Sequence, residues 1–139
     1  MAGTDVVLDD LIDITTSGGV TTTKYAGFMP ETPDDALQFL ETGGMGAVHA
    51  MSSVAGAAVE ENPSVQIIRR SPSYRRARVE MNFIWRMLDG LGDRTINGTR
   101  YFWIEAMQSP FPLGQDESGR SLISCNFRIS KALSTSTST

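Results

Sequence analysis

Asn97-Gly98 stands between two runs of β-forming residues and commits this chain to a tight hairpin, because a type I′ turn needs positive φ at both central positions. Around it the block from Val65 to Lys131 reads as one ordered unit. A short apolar strand, Val65 to Arg70, leads into Ser71-Pro72. That pair predicts a capping serine followed by a proline in the first helical turn. The helix then runs to about Leu88, and Tyr74, Ala77, Met81, Ile84 and Leu88, with Trp85 alongside, form its expected core stripe. Gly90 and Gly92 close it.

After the hairpin, Thr99 to Met107 alternates: Phe102, Ile104 and Ala106 are expected on one face, Tyr101, Trp103, Glu105 and Met107 on the other. A Pro-rich loop over 108–120 precedes a closing strand to Lys131, with Ile123, Cys125, Phe127 and Ile129 inward. Cys125, the single cysteine, reads as a small buried residue rather than a nucleophile, and it excludes an intrachain disulfide.

The N-terminal half is less regular. Thr4 to Thr15 predicts an amphipathic helix, with Val7, Leu8, Leu11, Ile12 and Ile14 on the apolar side and Asp5, Asp9 and Asp13 on the solvated side. Ser17-Gly18-Gly19 ends it. Strands are expected over Val20–Met29 and Ala36–Glu41. Residues 43–63, rich in Gly, Ala, Ser and Met, have no firm period; they read as an arm, with room for a short helix near Ala50–Val59, that orders against something else. The expected fold is therefore α+β: a mostly antiparallel sheet of four to five strands, a long helix packed across it, and a smaller N-terminal helix. One domain spans 1–133, followed by a Ser/Thr tail over 134–139.

Charge divides the chain. Residues 1–64 carry one basic and ten acidic side chains (1 − 10 = −9), and residues 65–139 carry eleven basic and six acidic (11 − 6 = +5). Three readings stay open: a nucleic-acid face with an acidic remainder, two ends that meet across a subunit boundary, or charge spread over one solvated surface. Arg69, Arg70, Arg75, Arg76 and Arg78 crowd the end of a strand and the start of a helix, where the helix dipole disfavours cations. Arg76 is spaced to pair with Glu80, and the others have no local partner, so an anionic surface is expected opposite them.

Catalytic signals are missing. His49, the only histidine, has no ligand-spaced partners, a zinc site would need three or four soft ligands, and Gly43-Gly44-Met45-Gly46 precedes no Lys-Ser/Thr pair. The expectation is a non-enzyme with no metal and no cofactor. No apolar run approaches the roughly 20 residues of a membrane span, and the acidic N-terminus is unlike a signal peptide.

Gly27-Phe28-Met29-Pro30, Leu40 to Gly44, Arg69 to Tyr74, Leu88 to Gly92, Thr95 to Tyr101 and Gln108 to Arg120 occur in this order. Together they resemble the tail terminator (tail-completion, or minor capsid) proteins of long-tailed bacteriophages, over about Tyr25 to Lys131. The resemblance implies a structural virion protein that forms a hexameric ring at the head-proximal end of the tail tube. Such a ring halts tube growth and offers its upper face to the head–tail connector. It implies the major tail tube protein and a neck protein as partners, DNA passing through the lumen without specific binding, and assembly in the host cytoplasm. A head-side adaptor or stopper ring is the alternative, and a DNA-binding module a remote one.

On this reading Asp9, Asp10, Asp13, Arg75, Arg76, Arg78, Tyr101 and Trp103 are candidates for contacts between copies. Gly43, Gly44, Met45, His49, Met51, Phe111 and Leu113 are candidates for contacts with partners.

Overall fold

The computed structural model describes residues 7–49 and 58–132. In chain order the elements are α1 (Val7–Ser17), β1 (Lys24–Ala26), β2 (Ala36–His49), β3 (Ala58–Ser71), α2 (Tyr74–Leu88), β4 (Arg94–Ile96), β5 (Thr99–Ala106), β6 (Phe111–Gln115) and β7 (Ser121–Ala132). All seven strands join one mixed sheet, ordered β1-β2-β3-β7-β5-β4, with β6 also against β7. β1 runs parallel to β2 and every other pairing is antiparallel. This corrects the expected four- to five-stranded, mostly antiparallel sheet with a long helix across it. The fold is mostly β, and its helices are short: α2 has 15 residues, about 22 Å at 1.5 Å per residue.

Two stretches account for the difference. Residues 43–49 and 58–63, read as an arm, continue β2 and β3 as a long ladder that pairs Met45 with Asn62, Val48 with Glu60 and His49 with Ala58. Register shifts between these pairs break the two-residue alternation, which is why no strand period is visible in the sequence. Of the helix expected near Ala50–Val59, Ala58 and Val59 belong to β3, and the rest lies outside the described residues.

The second stretch is the Pro-rich loop. Its residues 111–115 form β6, which lies against Ser121–Ser124 of β7, while β5 lies against Phe127–Lys131. A proline is tolerated on such a short edge strand because its missing N–H can point away from the ladder.

One face of the sheet carries the core. Leu37, Phe39, Val65, Ile67, Ile104, Ile123, Cys125, Phe127 and Ile129 meet Leu8, Leu11 and Ile14 of α1 and Ala77, Met81, Ile84 and Leu88 of α2. Burying each large side chain of this set contributes roughly 1.5–3 kcal/mol. Tyr74, expected in the stripe, is instead 51% exposed, because it begins the helix at the edge of that face. The cap also moves: β3 runs through Ser71, and it is Ser73 whose hydroxyl accepts from the Arg76 N–H at 3.2 Å. Asn97 (φ 50°) and Gly98 (φ 82°) adopt the left-handed geometry that the hairpin requires.

Three arginines are buried at one end of the sheet, and all of them face the turn between β1 and β2. Arg69 places Nε 2.5 Å from Glu80 Oε1 and Nη1 3.1 Å from Asp35 Oδ1. Arg70 donates to the carbonyls of Pro30 (2.7 Å), Pro33 (2.6 Å) and Asp34 (3.4 Å). Arg120 reaches Asp116 (2.8 Å), the Glu31 carboxylate (2.8 Å), the Glu31 carbonyl (2.5 Å) and Asp34 (3.3 Å).

A planar guanidinium presents five donors in a fixed fork and can hold a turn by several oxygens at once, whereas an ammonium offers three donors on one nitrogen. Replacing Arg70 with methionine keeps the stem and removes the donors. Arg70→Met is therefore expected to cost about 1–3 kcal/mol in urea denaturation; a midpoint equal to wild type would contradict this role.

Candidate interaction surface

The arginine cluster splits into two groups. Arg69, Arg70 and Arg76 are satisfied within the subunit: Arg76 places Nη1 2.8 Å from Asp35 Oδ2 rather than pairing with Glu80. Glu80 is taken by Arg69 and also accepts from the Thr22 hydroxyl at 2.7 Å. The Asp35 carboxyl is pushed up by partial burial but held below its usual range by hydrogen bonds from Ser71, Arg76 and Arg69. Among the described residues, Arg75 and Arg78 have no ion pair. They flank the outward face of α2, where Val79 and Phe83 lie one turn apart and are 60% and 50% exposed.

The three α1 candidates for contacts between copies, Asp9, Asp10 and Asp13, are not equally open. Asp10 is fully buried and accepts from the Tyr101 hydroxyl and from Asn97 Nδ2 at 2.7 Å. The same Asn97 amide reaches Asp13 at 2.7 Å, which ties α1 to the β4–β5 turn. Burial, then the adjoining Asp10, push the Tyr101 phenol well above its ordinary range. Asp9 is half-buried and Asp13 exposed.

Tyr101 and Trp103 do not share a face. The ladder pairs Tyr101 with Lys131 and Trp103 with Ser130, so Phe102 is an extra residue that turns Tyr101 inward beside Ile104 and leaves Trp103 partly exposed. Lys131, itself buried, lies 3.3 Å from Glu61 and 5.9 Å from the Tyr101 ring centroid.

The remaining candidates are scattered. Gly43 is exposed on β2, Gly44, Met45 and His49 follow it in the same strand, and Met51 lies outside the described residues. Phe111 is half-buried and Leu113 is 45% exposed on β6. A groove of about 520 Å³ runs between the end of α1, the end of α2 and the β4–β5 turn, floored by Ile14, Met87, Leu91 and Ile96 and rimmed by Asp13 and Arg94. Its walls hold no histidine or cysteine. Burial pushes the Cys125 thiol up to about 12, which leaves it protonated and unreactive at neutral pH.

Two surface features were missed in the sequence. Val79 and Phe83 fall opposite the core stripe of α2 at i, i+4 spacing, so their exposure follows from the same helical period that located the core. Phe28, which follows the positive-φ Gly27, is 81% exposed beside the acidic turn, and no periodic signal marks it.

The family model described as bacteriophage tail terminator protein covers residues 10–133. No curated protein matches the chain.

Two pH effects follow from the internal network. Asp35 has a depressed folded-state value, so its stabilisation is present above about pH 4 and is lost as pH falls through the folded value. Asp35→Asn should therefore flatten the decline of the urea midpoint below pH 4; an unchanged acid slope would contradict the pairing. Tyr101 is shifted upward, so its contribution is present below about pH 10 and is lost above it. Tyr101→Phe should cost about 1–3 kcal/mol at pH 7 by removing a donor from buried Asp10, and should make the alkaline loss of stability shallower in a thermal-melt series.

Proposed function

The chain belongs to the bacteriophage tail terminator family, and we propose that it caps the head-proximal end of a phage tail tube as a ring of its own copies. It is a structural component of the virion tail. In this role the ring stops addition of tube subunits and presents its opposite surface to the head–tail connector. The family match over residues 10–133 carries the reading.

Physical features of the subunit support it. Two different surfaces on one chain, one basic and apolar and the other acidic, suit a heterologous contact, which closes into a ring when the rotation between neighbours fits. Six copies form the ring in this proposal, and the major tail tube protein and a neck protein are its other partners. Cytoplasmic assembly in the host precedes incorporation.

No reaction is assigned. The role is architectural, and binding between protein surfaces accounts for all of it. DNA passes through the ring without sequence-specific contacts, in keeping with a net charge of −4, which disfavours adhesion to phosphate.

Deletion of the gene from its phage tests the assignment by electron microscopy of the lysate. Filled heads beside overlong or unjoined tails are the expected outcome. Normal tails joined to heads, or empty heads with no tail-length defect, would contradict it.

A further inference from the structure

Resting on the ring reading above, we infer that the outward face of α2 in one copy docks on the acidic end of the sheet in the next, with Phe28 as the anchor. The donor surface is the turn between β1 and β2 with the turn that precedes β7. Phe28 is 81% exposed there, Glu31 85% and Asp34 65%, and Glu117 is also exposed. Glu31, Asp34, Asp116 and Glu117 lie around Arg120 and the buried Arg70, for a local balance of 2 − 4 = −2.

The receiving surface is the α2 strip. Val79 and Phe83 form its apolar centre, and Arg75 and Arg78 stand beside it without an ion pair among the described residues.

Neither half is remarkable in isolation, since single exposed apolar side chains are common. Their correspondence is what matters: each surface combines large exposed apolar groups with an uncompensated charge, and the two charges have opposite sign. An aromatic anchor inserted in an apolar strip supplies the kind of centre that dominates interface energies. The surrounding charges set orientation and reject the reverse pairing, because like charges brought together cost several kcal/mol.

α1 is the weaker acceptor for these arginines. Asp10 is buried and Asp9 half-buried, which leaves Asp13 as the one exposed carboxylate of α1. The two docking surfaces are different parts of one chain, so the contact is head-to-tail and closes into a ring when the rotation between neighbours fits.

Complementation of the gene-deleted phage from a plasmid tests the contact. Arg75→Glu with Arg78→Glu should lower plaque formation by at least about tenfold while leaving the thermal melt of the purified chain unchanged. Adding Glu117→Lys, a carboxylate outside the Arg120 ion pairs, to the same chain should recover at least part of it, because the reversed charges again face each other. Complementation by the first variant at the wild-type level, or failure of the three-residue variant to recover while it melts like wild type, would overturn the proposal.

Cysteine pairing covers the case in which charge reversal disturbs folding. Phe28→Cys with Phe83→Cys should give intersubunit disulfides on oxidation of purified tails, and either single variant should give none. Normal tails without such crosslinks would overturn the contact and leave the ring reading intact. A wild-type plasmid copy that failed to restore normal tails would instead contradict the ring reading, and this contact with it.

Discussion

Burial of three guanidinium groups at one end of the sheet is the constraint on which the rest of the molecule depends. Arg69, Arg70 and Arg120 enter from β3 and the start of β7, and together they hold the turn over residues 30–35 by carbonyls and carboxylates. An uncompensated charge in that position would be strongly destabilising, so the turn and the arginines specify each other. The consequence reaches the whole chain: the acidic first half is fastened to the basic second half within one subunit. Of the nine ion pairs described, five cross that division, joining Asp35 to Arg69 and Arg76, Glu31 and Asp34 to Arg120, and Glu61 to Lys131.

That internal pairing changes the meaning of the charge asymmetry. An imbalance of −9 against +5 suggests two surfaces that meet between copies. Much of it is neutralised inside the fold instead, and what remains for a neighbour is smaller and better defined. On the basic side, Arg75, Arg78, Arg86 and Arg94 have no ion pair among the described residues, the first two beside Val79 and Phe83; on the acidic side, the carboxylates around Arg120 remain with Phe28. In the proposed ring these residual surfaces lie on different parts of one subunit, the helix α2 and the turns that precede β2 and β7.

Local signals were legible in the sequence where one short-range rule decides the geometry. The Asn97-Gly98 turn, the α2 core positions Ala77, Met81, Ile84 and Leu88, and the inward row of β7 follow from positive φ, a 3.6-residue period and a 2-residue period respectively. The full length of β2 and β3 and the presence of β6 were not legible. In β2 and β3 the register shifts erase alternation, and in β6 Pro112 reads as part of a loop although an edge position accommodates it.

Side-chain partners were harder still. A one-residue bulge at Phe102 decides that Tyr101 is buried and Trp103 is not, and only the ladder with β7 reveals it. Asp10 carries the same lesson. It was expected at a contact between copies, yet the helix turns it toward Tyr101 and Asn97, which supply the hydrogen bonds that permit burial. Likewise Arg76 meets Asp35, distant in sequence, before it meets Glu80 four residues away.

The most direct measurement is a high-resolution electron-microscopy reconstruction of the head-proximal end of intact tails. The proposed arrangement places a closed ring of this chain there, with Val79 and Phe83 covered by the neighbour's Phe28 and with Arg69, Arg70 and Arg120 still holding their own subunit's turn. A ring in which the outer face of α2 is open to solvent, or a tail end that lacks this chain altogether, would contradict it.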